Sequence, residues 1–234
     1  MHSDDLASEP YGHLRHAFSL ELQALERDVL EMASMAESMV EEAVESLADL
    51  DAERALRTLP KDDEIDERDI RIEDKCLRLI ALQHPTATDL RIIGTVMKMI
   101  TDIERIGDLA VDIAKCGMKI EQLFGNVSYV DVHRIANLAR EMLRDALQAF
   151  VRRDLDLVVK VCETDDEVDA LYRELREQIH SRMTEKPEEV VSASWLLLAI
   201  HHVERIADHA VNIAERVHFM VKGQLIQIAK SHKT

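Results

Sequence analysis

The segment Glu104–Ala114 reads ERIGDLAVDIA, and it recurs 100 residues later at Glu204–Ala214 as ERIADHAVNIA. Eight of the eleven aligned positions are identical. A second pair of segments lies upstream of the first, where Asp62–Asp66 reads DDEID and Asp165–Asp169 reads DDEVD at an offset of 103 residues. A repeat of about 100 residues is too long for a solenoid unit and is typical of a duplicated small helical bundle.

Backbone-breaking residues are scarce in this chain. Six Gly and four Pro occur among 234 residues, whereas average composition would place about 12% of the chain in these two types. No Gly or Pro occurs between Gly12 and Pro60 or between Gly125 and Pro187. All-β folds need turn residues every ten or so positions, so these stretches favour long helices instead.

The repeat and the helical composition together predict an all-α fold. We expect a tandem repeat of two three-helix bundles, with six long antiparallel helices related by a pseudo-twofold axis. The first repeat is expected to cover 14–124 and the second 125–222, with flexible tails at 1–13 and 223–234. Asp51 and Asp154 are predicted N-caps. Pro60 either kinks the helix that begins after Asp51 or starts a new helix, and the sequence leaves both open.

The charge of the chain argues against nucleic-acid binding. Acidic residues outnumber basic ones by 46 to 29, giving a net charge of −17 that would repel a phosphate backbone. The N-terminal residues lack the pattern of a signal peptide, and the most apolar window, 190–200, is too short to span a bilayer. We therefore expect a cytoplasmic protein that meets a membrane only through partners.

Repeated carboxylates form the strongest candidate site. At about 100° per residue, Glu104 and Asp108 lie on one shoulder of the core stripe centred on Ile103. Asp62 and Asp66 lie on a shoulder of the preceding helix that can face them across a seam. Each repeat can thus gather two pairs spaced i, i+4, and the four pairs are Asp62 with Asp66, Glu104 with Asp108, Asp165 with Asp169, and Glu204 with Asp208.

Two readings of these pairs remain open. Like charges at i and i+4 repel by a few tenths of a kcal/mol, and a hard cation such as Fe, Mn, Mg or Zn would relieve that repulsion. The alternative is a solvated acidic face laced by neighbouring arginines, among them Arg105 and Arg205.

An enzymatic function is not predicted. The chain has no Gly-rich phosphate loop, Gly-x-Ser-x-Gly elbow or His-Glu-x-x-His motif. A di-iron carboxylate bundle enzyme is kept as an alternative, although it needs two Glu-x-x-His pairs and only Glu177 with His180 is a clear instance. For His201, His202 and His209 we expect a surface role rather than metal ligation.

The duplicated ERI(G/A)DxAVxIA segments, the paired DDE(I/V)D segments and the stretch Pro85–Arg91, PTATDLR, resemble the PhoU family of phosphate-specific transport accessory proteins. The resemblance covers nearly the whole chain. It departs from the family pattern at Ala207, where Gly is usual, and the two copies differ at Asn212, which stands where the first copy has Asp112.

The resemblance implies a cytoplasmic, non-enzymatic negative regulator of the phosphate-starvation regulon that contributes to phosphate homeostasis. Such a protein couples the ATPase subunit of the high-affinity phosphate ABC transporter to the PAS domain of the phosphate-sensing histidine kinase. It also implies a homodimer and the binding of Fe, Zn or Mg at the eight carboxylates of the four pairs. A related helical family accompanies low-affinity phosphate permeases, and this alternative remains open.

Overall fold

The computed structural model describes residues 9–83 and 85–225. Within these residues the chain forms only helices and their connections, which confirms the all-α prediction. The helices are α1 (Glu9–Asp49), α2 (Ala52–Thr58), α3 (Asp62–Gln83), α4 (Ala87–Gln122), α5 (Val132–Arg152), α6 (Leu155–Glu185) and α7 (Val190–Lys222), with 3-10 turns at Leu59–Lys61 and Pro187–Glu189.

The six long helices form two bundles. In the first bundle α1, α3 and α4 pack against one another, and in the second bundle α5, α6 and α7 do the same. The two bundles join where α4 packs along α7 and α1 packs along α5. The predicted architecture of two three-helix bundles is therefore confirmed.

The exact limits of the two repeats stay a prediction, with one correction at the N-terminus. Residues 9–13, expected in a flexible tail, belong to α1. At the other end, α7 ends at Lys222 on Gly223, whose left-handed backbone terminates the helix. The remaining parts of the two predicted tails, 1–8 and 226–234, lie outside the described residues.

Pro60 marks a structural difference between the repeats. Asp51 caps α2 by accepting a hydrogen bond from the Arg54 amide at 2.9 Å, but α2 ends at Thr58 and a 3-10 turn containing Pro60 precedes α3. At the same offset of 103 residues the second repeat has Glu163, and α6 continues unbroken beyond its Asp154 cap. Proline has no N–H and its ring clashes with the preceding turn, so it interrupts the helix in one repeat only.

None of the described helices combines the length and the apolar character needed to cross a membrane.

A close approach of α1 to α4 depends on a glycine. A Cβ added to Gly117 would lie 3.1 Å from the backbone Cα of Leu47, tighter than an ordinary van der Waals contact. Leu47 of α1 and Gly117 of α4 are both buried at this contact. Gly94, also inside α4, has no atom within 4 Å of the same added Cβ.

The two glycines form a matched test of this packing. Gly117→Ala is expected to lower the free energy of unfolding by about 1–3 kcal/mol, because the backbones of α1 and α4 must separate. Gly94→Ala is expected to raise it by about 0.5–1 kcal/mol, because alanine has the better helix propensity and finds open space. Urea unfolding followed by circular dichroism measures both values. Equal effects of the two substitutions would contradict the assignment of Gly117 to a close helix contact.

Candidate functional site

The polar shoulders of α3 and α4 meet along a line that we call the first seam, formed by Asp62, Asp66, Asp69, Glu104 and Asp108. Gly107 allows a close approach within the first seam, because a Cβ added there would lie 2.9 Å from Asp62 Oδ1. The Asp62 carboxylate therefore lies over the backbone of α4, where a larger residue would displace it. The structure thus brings the α3 pair and the α4 pair together, as the helical positions predict.

Negative charge accumulates in the first seam. Burial, followed by the negative charges of Asp108 and Asp66, raises the pKa of Asp62 to about 6. Burial, followed by the charge of Asp108, also raises the pKa of Glu104. These shifts mean that burial first, and then repulsion between neighbouring carboxylates, disfavours the charged form of both side chains in the folded protein.

Asp69 is a further member of the seam that the pairwise motif does not identify. Burial, followed by the charges of Glu73 and Asp66, raises its pKa. Asp62 Oδ1 and Asp69 Oδ1 are both buried and accept no hydrogen bond from any described residue. The seven-residue separation of these two aspartates along α3, which places them on the same face, is the sequence signal that could have found Asp69.

One arginine partly neutralises the first seam. Arg105 Nη1 lies 2.7 Å from Asp108 Oδ2, and Arg105 Nε lies 3.2 Å from Glu104 Oε2. These ion pairs correspond to the alternative that the sequence leaves open, in which arginines rather than a metal ion neutralise the acidic face. Because both ion pairs are partly exposed, each contributes little to stability.

The equivalent line between α6 and α7, the second seam, has a different composition. Asp165 is only 3% exposed, and Asp169, Glu204 and Asp208 are half-buried. His201 Nδ1 lies 3.1 Å from Glu204 Oε2, and the ring of His201 packs beside Tyr172 of α6 with the centroids 5.9 Å apart. Histidine and tyrosine therefore accompany the carboxylates here, and neither type occurs in the first seam.

The seam carboxylates offer the oxygen atoms that hard cations prefer. Within residues 9–83 and 85–225, however, no three His, Cys, Asp or Glu side chains are arranged so that they could hold a metal ion. The described side chains thus fit a metal by chemistry but not by position. Metal ligation by the eight predicted carboxylates stays a prediction.

The histidines of α7 correct one expectation. His202 is 8% exposed, and His209 Nδ1 lies 2.9 Å from Asp102 Oδ1 of α4, so a surface role is wrong for both; only His201 is exposed. Asn212 Nδ2 donates to the same Asp102 oxygen at 3.1 Å. These residues lie on the face that each repeat turns toward the other, and a helical projection of one repeat cannot reveal that face.

Burial, opposed by the charge of Asp112 on α4, lowers the pKa of His202. At the repeat offset of 100 residues His202 corresponds to Asp102, and Asn212 to Asp112. The Asp102–Asn212 hydrogen bond and the electrostatic interaction of His202 with Asp112 are therefore related by the pseudo-twofold arrangement of the repeats. In each interaction one residue comes from α4 and the other from α7.

The pair required by the di-iron alternative does not point into a bundle. Glu177 and His180 are both exposed on α6. A di-iron centre needs inward-facing ligands from facing helices, so this pair does not form one.

Both halves of the chain match one known protein family. The family model described as "PhoU domain" matches residues 29–117 and, a second time, residues 132–217. Each match covers one of the two bundles. The chain belongs to the PhoU family.

Members of the PhoU family match almost the full chain. The phosphate-specific transport system accessory protein PhoU homolog of Clostridium acetobutylicum is 37% identical, over 92% of this chain and 98% of that protein. The phosphate-specific transport system accessory protein PhoU of Escherichia coli is 30% identical, over 91% of this chain and 88% of that protein.

Solved PhoU structures share the fold. The crystal structure of PhoU from Pseudomonas aeruginosa superposes with a TM-score of 0.84 at 34% identity, covering 88% of this chain and 100% of that one. The phosphate transport system regulatory protein PhoU from Streptococcus pneumoniae gives a TM-score of 0.80 at 30% identity, covering 89% and 99% of the two chains. The family resemblance and the two-bundle fold are thereby confirmed.

The raised pKa of Asp62 predicts a pH-dependent effect on stability. The folded state binds the proton of Asp62 more tightly than the unfolded chain, whose pKa is 3.8. The contribution of Asp62 to the free energy of unfolding therefore falls as the pH rises from about 4 to about 6, and the full destabilisation by this group is present above that window. Asp62→Asn removes the charge and should stabilise the protein at pH 7.5 by about 1 kcal/mol, a value reduced by solvent screening.

Urea unfolding at pH 4 and at pH 7.5 checks this effect, which should be near zero at the lower pH. Asp166→Asn is the control, because Asp166 is exposed and occupies the position of Asp63 in the second repeat. If Asp62→Asn were less stable than the wild type at pH 7.5, the charged carboxylate would be a stabilising group, and the prediction would be wrong.

Proposed function

We propose that this chain is a cytoplasmic accessory protein of a phosphate-specific transport system and a negative regulator of the phosphate-starvation regulon. In this proposal it couples the ATPase subunit of the phosphate ABC transporter to the PAS domain of the phosphate-sensing histidine kinase when phosphate is plentiful. The observation that carries it is the match of both bundles, over nine-tenths of the chain, to relatives named as accessory proteins of that system.

The geometry supports a regulator that acts by contact. Such a protein changes the activity of a partner by binding one of its conformations more tightly than the other. Two seams of unequal composition, one in each bundle, give the chain two distinct surfaces for two partners. Charge accumulation of this kind speeds the encounter with a partner surface of opposite sign.

Metal binding belongs to the same proposal. The buried oxygens of Asp62 and Asp69, without a hydrogen bond from the described residues, support Fe, Zn or Mg in the first seam. The side chains would have to move together on binding, because they do not converge in this structure. A bound cation would offset the burial and the repulsion that together raise the pKa of Asp62.

A homodimer is also part of the proposal, on the family resemblance alone. The names of the relatives refer to a phosphate-specific transport system, and this supports the high-affinity transporter as the partner over a low-affinity permease.

A reporter strain tests the function. Deletion of the encoding gene is expected to switch on a phosphate-starvation promoter in phosphate-rich medium, and the wild-type chain should restore repression. Glu104→Gln combined with Glu204→Gln should restore it poorly, because one carboxylate of each seam is neutralised. Glu53→Gln is the control, since Glu53 is an exposed residue of α2 that belongs to neither seam.

Affinity capture tests the proposed partners, and elemental analysis tests the proposed metal. Affinity capture from phosphate-rich cells should recover the transporter ATPase and the sensor kinase with the wild type and with Glu53→Gln. Elemental analysis of protein purified without chelators should find metal that the double variant lacks. A promoter that stays off after deletion would contradict the regulatory function, and a wild-type protein without metal would contradict the metal part only.

A further inference from the structure

A small cavity of about 220 Å³ lies between α1 and α3. No residue of α4 is among the described residues that line it. The residues that line it are Asp28, Arg68, Arg71, Ile72 and Lys75. Three of these five are cations, although the chain as a whole carries a net charge of −17. We call this cavity the basic pocket.

Lys75 and Arg71 in the basic pocket each have N–H groups that form no hydrogen bond within the described residues. Lys75 Nζ lies 2.7 Å from Asp28 Oδ2, which occupies one of the three N–H groups of an ammonium. Arg71 Nε donates to the backbone oxygen of Glu67 at 3.1 Å. Its Nη2 lies 4.0 Å from Glu67 Oε2, which is too far for a hydrogen bond, so the outer N–H groups can still donate to another acceptor. The nearby carboxylates therefore do not exhaust the donors.

Arg68 supplies a more specific observation. Its Nη1 lies 3.0 Å from Glu31 Oε2, but its Nε is buried and donates to no acceptor within the described residues. A buried donor without an acceptor destabilises the protein, because it has lost its hydrogen bond to water and gained no other. A ligand with acceptor oxygens would remove that cost on binding.

The second repeat contains the same cavity without these cations. A cavity of about 520 Å³ is lined by Asp131, Leu171, Glu174, Leu175 and Gln178 among its residues. Each of these five follows its counterpart in the basic pocket by 103 residues. The cavity is thus a feature of the repeated fold, while the three cations are particular to the first repeat.

We propose that the basic pocket binds free inorganic phosphate. Arginine guanidinium groups pair with phosphate oxygens in a bidentate manner, and a lysine ammonium adds a point charge. The volume is below the roughly 300 Å³ at which pockets begin to hold drug-sized ligands, so it suits a small oxyanion. Asp28 adds selectivity, because a carboxylate accepts a hydrogen bond from monoprotonated phosphate and repels sulfate, which has no proton to donate.

This inference goes beyond the proposed function, because it makes the regulator itself a receptor for the ion. Binding by the purified protein needs neither the transporter nor the kinase. A failure to bind phosphate would leave the reporter result standing, and a failure of the reporter test would leave phosphate binding standing.

Isothermal titration of the full chain with orthophosphate at pH 7.5 tests the proposal. The wild type should bind one phosphate per chain with a saturable isotherm. Lys75→Gln and Arg71→Glu each install the residue that the second repeat carries at that position, and each should weaken binding at least tenfold. Glu174→Gln, at the matching position of the second cavity, should bind as the wild type does.

Selectivity and folding complete the test. Sulfate should bind the wild type at least tenfold more weakly than phosphate, and Asp28→Asn should narrow that difference. Phosphate should raise the melting temperature of the wild type and of Glu174→Gln, but not that of Lys75→Gln, whose melting temperature without phosphate shows whether it folds. The absence of saturable binding, unchanged affinity in both pocket variants, or equal affinity for sulfate would each overturn the proposal.

Discussion

The packing of α4 against α7 is the contact on which the rest of the molecule depends. Each helix belongs to its own bundle and also forms the junction between bundles, so each must satisfy three neighbouring surfaces at once. Asp102 meets His209 across the junction, and Glu104, two residues further along, points about 200° away toward α3. The position of the first seam is therefore a consequence of the same helix geometry that joins the repeats.

That junction explains which features could be predicted from the sequence. The repeat and the six long helices follow from periodicity within one bundle, and so does the approach of the α3 carboxylate pair to the α4 pair. Periodicity is visible in a single chain. The burial of His202 and the contact of His209 with Asp102 depend on the face shared between bundles, and no pattern within one repeat distinguishes that face from a solvated one. The break at Pro60 is a local conflict that only the packing around it could decide.

The repeats share a backbone plan and differ in the chemistry placed on it. Gly107 lets Asp62 lie over α4, whereas the second repeat has Ala207 at that position and places His201 and Tyr172 beside Glu204. The cavity under α3 is lined by cations, and its counterpart under α6 has Leu171, Glu174 and Gln178 at the same positions. A duplicated scaffold with two unlike sets of sites can bind unlike ligands, and a shared rigid junction lets binding at one set bias the other.

Native-state hydrogen exchange tests the central claim that α4 and α7 hold the two bundles in one cooperative unit. The slowest amides of both helices are expected to exchange with the same opening free energy, equal to that of global unfolding, because neither bundle can open while the junction is intact. If the α7 amides exchanged at a distinctly lower opening free energy than those of α4, the bundles would unfold separately and the account would be contradicted.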